Sequence, residues 1–500
     1  MKLAGKINYT ALLPIAGILA FSVLVWHYVN LSARDLIFMD FWRVASELVP
    51  KIMEHDFSPF LLWKDCLGHR NPLTYSLFAL DIKFFNFNCL WECYLGVVMI
   101  ACTALLLLKK WQQIIKTVNF NKPVPLFLTG GILFISFLLP LFNLNQWEIL
   151  SLQFSGAFMV RIFFYILIFI LLDSLIINKE YSIKKNNNLG ILIAAVICLM
   201  SQLYWCAMVI TCCFMVAASY LYPNTNRLSL FKSHIALYIP VLIGIGIYFY
   251  DIHFGAAGEG SGLKKFFSLV ANGDFFISLS YALLSIVLHQ DLFGDFSTTK
   301  VLVCGLCIML AIGMAIFLFF KTKMYRISLL PLALMSYGLI TIPILIYGRA
   351  SMFDVRYVSA SRYTCETSMI ILGVFMCYSY ALTLILFNNS AILKKSLKLA
   401  SILTVQLALV YSLTTSFNKE MQIAPYRGFY KDDLLKYVNE VSPKDVQERK
   451  IDHKKIALLQ SDPESVKLTM QYILKYDIDL YFNHSDEAQS VETQKQEGNI

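Results

Sequence analysis

Two carboxylates five residues apart, Asp35 and Asp40, stand in the run Arg34-Asp35-Leu36-Ile37-Phe38-Met39-Asp40-Phe41-Trp42, just past the first strongly apolar segment. A carboxylate beside a membrane interface can have a raised pKa, which suits a general base that takes a proton from a hydroxyl. The same acids could equally cap the helix that follows, and Asp40 before Phe41-Trp42-Arg43 is well placed for that. Further on come His69-Arg70, with Lys64 nearby. The planar fork of an arginine matches phosphate oxygens, while snorkelling or a bridge to Asp65 is the structural alternative. Gln146-Trp147-Glu148 and Gln153 form a third group, followed by Arg161 within an apolar run. A charge inside a spanning segment is costly and either faces a watery cavity or finds a partner, for which Glu148 is the candidate. The fourth group is Arg349, Arg356 and Arg362 around Asp354, ending in Ser361-Arg362-Tyr363. Three arginines in so short a stretch point to an anionic ligand, with Asp354 and Glu366 available for a purely structural network instead.

These residues have to be positioned by membrane helices. Hydrophobic residues make up 58% of the 500 and charged residues 15%, against roughly 45–50% and 25% in soluble domains. Apolar runs predict eleven crossings, at about 9–29, 89–108, 124–142, 157–177, 189–203, 205–222, 235–253, 300–320, 327–347, 367–387 and 398–416. The first follows only Lys2 and Lys6 and has no small-residue cleavage site, so it is expected to be retained. The decision that sets parity is 189–222, which as one helix would overshoot a ~30 Å hydrocarbon core. Two short helices fit better, with Gln202, Tyr204 and Trp205 at the bend.

With the amino terminus inside, the inner segments carry 17 Lys or Arg and one acid, Glu180, as the positive-inside rule requires. The net charge of +9 is thereby explained without nucleic acid as a partner. Odd parity puts the carboxyl terminus outside. The outer side then holds the loop 30–88, the connection 143–153, the region 254–299 and the connection 348–366. The apolar stretch 266–289 cannot cross once and is expected to lie in the interface or dip back. The glycines of 255–262 read as a linker or a hinge. The spacing Cys304 and Cys307 is packing inside a helix. Residues 1–416 are thus a membrane domain, 417–484 a small outer domain, and 485–500 a disordered tail. Metalloprotease, ATPase and α/β-hydrolase motifs are absent from the sequence. No ligand spacing argues for a metal, although repeated carboxylates leave a divalent cation open.

In Asp35 to Trp42, Gly68-His69-Arg70 leading to Phe78-Ala79-Leu80-Asp81, Gln146-Trp147-Glu148 and Ser361-Arg362-Tyr363, the chain resembles the GT-C membrane glycosyltransferases of bacteria and phage. Within them it is most similar to the serotype-converting glucosyltransferases that decorate O-antigen. That resemblance implies an all-α polytopic fold in the bacterial cytoplasmic membrane. It also implies inverting transfer of a hexose, glucose by likeness, from undecaprenyl phosphate to an O-antigen or other saccharide hydroxyl on the periplasmic face. No cofactor besides the lipid-linked donor is implied. The base would be Asp40, which sits in the Phe-Met-Asp-Phe-Trp core, or Asp35. His69, Arg70, Arg349, Arg362 and Tyr363 would hold the donor phosphate, and Trp147, Glu148, Gln153 and Arg356 the substrates. Where relatives read Glu-His-Arg this chain has Gly68, which removes an acid from that position. A flippase for a lipid-linked saccharide, or an O-antigen polymerase or ligase, would draw on the same arginines. A transporter would also favour inverted repeats and charges at mid-membrane depth.

Overall fold

In the computed structural model the described residues are 9–37, 41–66, 69–85, 87–117, 123–179, 182–200, 204–220, 227–251, 261–350, 354–387, 392–440 and 463–476. They form an all-α polytopic membrane protein whose helices satisfy their own backbones, as hydrocarbon demands. In chain order these are α1 (Tyr9–Ser32), α2 (Phe41–Met53), α3 (Pro72–Phe84), α4 (Leu90–Lys116), α5 (Pro123–Leu141), α6 (Trp147–Leu150), α7 (Ser155–Ile177), α8 (Ile183–Leu199) and α9 (Tyr204–Ser219). They continue with α10 (Arg227–Phe249), α11 (Ser261–Ala271), α12 (Asp274–Val287), α13 (Gln290–Phe293), α14 (Thr298–Lys321), α15 (Leu330–Leu345), α16 (Ser361–Thr367), α17 (Met369–Phe387), α18 (Ile392–Glu440) and α19 (Pro463–Lys475). A two-residue antiparallel pairing joins Asp65–Cys66 to His69–Arg70.

Among the described residues nine helices are long and apolar enough to cross a bilayer, or ten if the bent pair α11 and α12 counts as one span. The nine fall on nine of the eleven expected crossings. The other two expected crossings fall on α8 and α9, which are 17 and 16 residues long.

The direction of those two helices can be read from their contacts with α10. Asn186 Nδ2 donates to Ser233 Oγ (2.7 Å), Gly190 lies against Leu237, and Cys198 Sγ reaches the Gly244 carbonyl. Numbers rise together, so α8 and α10 are parallel. On α9 the order reverses, with Trp205 against Tyr248 and Tyr220 against His234. The stretch 183–219 therefore goes out and comes back. Close approach of α8 and α10 depends on glycine. A Cβ on Gly190 would stand 2.3 Å from the Leu237 carbonyl oxygen, and one on Gly244 would stand 2.8 Å from Ala194, the small-residue packing typical of membrane helices. After α10, α11 and α12 meet at 91°, with Gly273 at φ +83° between them. A bent pair of this kind is a broken span or a re-entrant loop, and the second agrees with the expectation for 266–289.

Among the described residues two apolar cores result. The larger lies within the helix bundle, where α4 packs along α7, α15 along α17 and α1 along α5. The smaller gathers Phe41, Trp42 and Val49 of α2, Tyr75 and Phe78 of α3, Leu434 of α18, and Val466, Met470 and Ile473 of α19. The boundary expected after Ser416 thus falls inside α18. That helix has 49 residues, roughly 74 Å at 1.5 Å per residue, and continues well past a ~30 Å core. The apolar signal stops near residue 416 while the helix does not. Beyond that point polar residues fasten it to the outer elements.

Lys431 is the clearest of these fasteners. Its Nζ donates to the Ser32 carbonyl (2.9 Å) and the Ser151 carbonyl (2.7 Å), at the ends of α1 and α6. Burial pushes the Lys431 amine down to about 7, and its N–H groups satisfy carbonyls that the two helix ends leave open. One residue on, Asp432 pairs with Arg34. Lys431→Met keeps the stem but removes both hydrogen bonds and leaves the two carbonyls unsatisfied. It is expected to cost about 1–3 kcal/mol, read as a lower thermal midpoint of the purified protein. An unchanged midpoint would make the contact incidental. The opposite end of the bundle has its own clamp, Lys110 to Asp173 at 2.6 Å, with Asp173 also accepting from Ser328 Oγ and the Leu329 N–H.

Candidate functional site

The four outer segments expected from the sequence meet at one end of the bundle. The connection 143–154 is their junction. Asn143 and Asn145 donate to the Ile286 and Ser285 carbonyls of α12 (2.8 and 3.0 Å), and Gln153 Nε2 donates to the Leu36 carbonyl (2.6 Å). Between these anchors, Glu148 accepts from Ser361 Oγ (2.9 Å) and from the Arg362 N–H (3.0 Å). The first loop, the 143–154 connection and the Ser-Arg-Tyr turn are therefore tied in series.

Around that turn lies a basic and aromatic rim. The Arg362 guanidinium donates to the Tyr357 hydroxyl (2.7 Å), lies 3.9 Å from Glu148 and faces the rings of Tyr357 and Tyr363. Arg349 sits on a π-helical turn, Ile346–Ala350, a distortion often found at functional sites. Both arginines act electrostatically on the buried Tyr363 hydroxyl, which has no hydrogen-bond partner among the described residues. Arg356 is exposed, with its guanidinium toward the Tyr281 ring. The nearby acids are turned elsewhere: Asp354 accepts from the Arg356 backbone N–H (2.8 Å), and Glu366 belongs to Arg161. Among the described residues no carboxylate pairs with Arg349 or Arg356.

Three expectations change here. Glu148 is not the partner of Arg161. Arg161, fully buried, pairs with Glu366, which also accepts from the Tyr337 hydroxyl, and its guanidinium faces the Phe158 and Tyr204 rings. The reason is rotation about the helix: Arg161 on α7 points into the bundle toward α15 and α16, while Glu148 lies on the outer connection. Arg70 does not present its fork to the rim. It donates to the Tyr248 (3.0 Å), Tyr250 and Trp63 carbonyls, and so closes the end of α10 and braces the first loop. Orphan carbonyls at a helix end are strong acceptors, and they use the donors that a phosphate would need. Lys64, finally, pairs with Glu47 at 3.0 Å. The His69 side chain and the whole of Asp40 lie outside the described residues.

Asp35 is described, and its setting is unusual for a carboxylate. It is half-buried at the end of α1 and accepts from the Cys89 N–H (2.8 Å). Burial pushes its carboxyl up to about 7 against the pull of that hydrogen bond. Behind it, Asp81 of α3 is fully buried and is pushed up to about 8, chiefly by burial, with the Trp91 indole opposing and the Asp35 charge adding. Glu92, also fully buried, interacts with Asp81, and among the described residues neither of its carboxyl oxygens has a hydrogen-bond partner. Among the described residues no group of His, Cys, Asp and Glu has the geometry to hold a metal ion.

Sequence reasoning missed the network under Trp147. Arg427 lies 3.5 Å over that ring and donates to Glu420, which also accepts from Tyr28 (2.7 Å) and His289 Nε2 (2.6 Å). The other nitrogen of His289 takes the Asp291 N–H, so the imidazole has no site left for a substrate. Glu420 and Arg427 are seven apart, two turns along one helix, and that spacing would have been legible had the helix been extended past residue 416.

Taken together, helices and site define a multi-pass membrane protein with one polar, arginine-bearing end. No family model matches the chain, and no curated protein or solved structure shows significant similarity to it.

Proposed function

We propose that the protein is an inverting membrane glycosyltransferase that moves a hexose from a polyprenyl phosphate to a saccharide hydroxyl, in the manner of the O-antigen glucosyltransferases its motifs resemble. The observation that carries the reading is the rim: Arg349 and Arg362 beside the buried Tyr363 hydroxyl, which has no hydrogen-bond partner among the described residues, with Glu148 holding Arg362 in place and Asp354 and Glu366 bonded to other groups. Such a set suits a phosphate that becomes the leaving group, since fixed donors in a water-poor site stabilise charge as it develops. An acid of the first loop would serve as base. Asp35 fits through its raised pKa and partial exposure, and Asp40 remains the second candidate. Trp147, Glu148, Gln153 and Arg356 would frame the substrates, with Glu148 acting mainly by holding Ser361 and Arg362 in place. The proposed home is the bacterial inner membrane, with the rim on the periplasmic side.

The test is expression in a bacterium of known O-antigen, followed by mass analysis of the polysaccharide. One added hexose per repeat is expected from the native chain. Arg349→Gln and Arg362→Gln are each expected to cut transfer by about 10²–10³-fold, the usual cost of removing one such donor, at unchanged protein level. Movement of lipid-linked sugar across the membrane with no new glycosidic bond would replace this reading with a transporter.

A further inference from the structure

Helix α3 crosses the outer end of the bundle. Arg70, two residues before it, is tied to the last carbonyls of α10, and the helix rests on α7 and α8. At its far end the chain turns into α4, with the Phe85 and Phe87 N–H groups both donating to the Asp81 carbonyl (3.0 Å each) and Phe87 at φ +66°. Both ends of α3 are thus fixed at the outer ends of spanning helices, so it runs along the membrane plane rather than through it. Tyr75, Phe78, Asp81 and Ile82 are buried against the protein. Its last turn is different: Leu80, Phe84 and Phe85 are 42%, 65% and 46% exposed, with the Lys83 ammonium 5.6 Å from the Phe84 ring.

The surroundings of that turn can be read from α4. Trp91, Tyr94, Val98, Cys102, Leu105 and Lys109 recur at three- and four-residue steps and are all partly or fully exposed, while Cys93, Val97, Ile100 and Ala104 on the other side are buried. On a spanning helix the exposed row faces hydrocarbon. Phe85 stacks on Trp91 (4.7 Å between centroids, 14° between planes), and Trp26, on the exposed row of α1, stacks on Tyr94 (4.2 Å, 25°). The end of α3 therefore lies on the lipid-facing side of α4. Its level follows from Lys109 at the inner end of the same row. Along α4, Trp91 is about 27 Å from Lys109, close to the ~30 Å thickness of the hydrocarbon core. Trp91 and Phe85 consequently mark the outer edge of that core, where aromatic rings concentrate. A lysine beside them lays its stem along the rings and holds its ammonium among the head groups.

We propose that the last turn of α3 is a membrane foot: Leu80, Phe84 and Phe85 insert into the outer leaflet at the border of head groups and acyl chains, with Lys83 at the level of the phosphates. The partner is the phospholipid bilayer itself, selected by continuity with the lipid-facing rows of α1 and α4. Asp81, fully buried on the opposite side of the same turn, is held at a fixed height over the bilayer by this contact. The foot stands whether or not the glycosyltransferase reading does.

The experiment uses the full chain in nanodiscs of phosphatidylglycerol and phosphatidylethanolamine, doped with a phospholipid that carries a diazirine either beside the ester or at the end of one acyl chain. Cross-links are mapped by peptide mass. In the native chain, residues 80–85 are expected to be labelled about fivefold more by the ester-side probe than by the tail-end probe. Residues 98–102, about 10–17 Å deeper along α4, should show the reverse preference. Phe84→Glu combined with Phe85→Glu should lower ester-side labelling of 80–85 about tenfold and leave 98–102 unchanged. The depth preference of the native chain decides the matter alone should that variant fail to fold. The proposal is overturned by labelling of 80–85 no stronger than at the charged, exposed tip 54–56, by a tail-end preference at 80–85, or by a folded double variant that labels like the native chain. Loss of the label in discs that hold two copies would assign the face to a second copy of the chain instead.

Discussion

Asp35→Asn is expected to lower hexose transfer by about 10²–10⁴-fold, the usual contribution of a positioned base, with protein level and thermal midpoint unchanged. Asparagine retains an oxygen to accept the Cys89 N–H, so the end of α1 should keep its place. What it loses is the ability to take a proton. The carboxyl of Asp35, pushed up to about 7 by burial, is neutral below that value and charged above it. Only the charged form is a base, so transfer by the native protein should rise with pH through about 7 and then level off. Asp35→Glu should keep measurable transfer with a displaced pH midpoint. A pH profile flat from 6 to 8, or full transfer by Asp35→Asn with loss on Asp40→Asn, would move the role to Asp40.

The second large effect concerns stability. Glu366→Ala leaves the Arg161 guanidinium fully buried with its ion partner gone, and strands the Tyr337 hydroxyl as well. Breaking one side of a buried pair typically costs about 3–5 kcal/mol, because the remaining charge is uncompensated. Most of that loss should be regained in the double variant Arg161→Met with Glu366→Leu, since replacing both partners by apolar residues is often neutral. The measurement is thermal unfolding of the three variants in one detergent. A single variant as stable as the native chain would show that water reaches Arg161. Because Glu366 lies one turn after Arg362, the double variant also asks whether the pair sets the pose of the arginine rim.

The helical fold was readable because burial in lipid imposes length and polarity on each segment separately. The decision to divide 189–222 rested on bilayer thickness and charge parity, and the opposed directions of α8 and α9 relative to α10 agree with it. Pairing was less readable. Arg161 and Glu148 are close in number, and closeness along the chain favoured them as partners. Glu366, 205 residues away, is the actual partner, and only helix rotation decides that. Arg70 shows a different limit: its type suits phosphate, yet two backbone carbonyls at the end of α10 and one at Trp63 of the first loop take its donors, and no sequence pattern marks an orphan carbonyl. Glu420, Arg427 and Lys431 were missed because an apolar run ending near residue 416 hides a helix that continues for six more turns.

The seating of α19 on α2 has a consequence for how this molecule comes to exist. Trp42, on the apolar face of α2, is synthesised more than 420 residues ahead of Val466, Met470 and Ile473, which cover that face. Throughout that interval the face has to wait, open to wrong neighbours. This part of the newborn chain cannot ripen piece by piece: an early outer segment is sealed by one made much later.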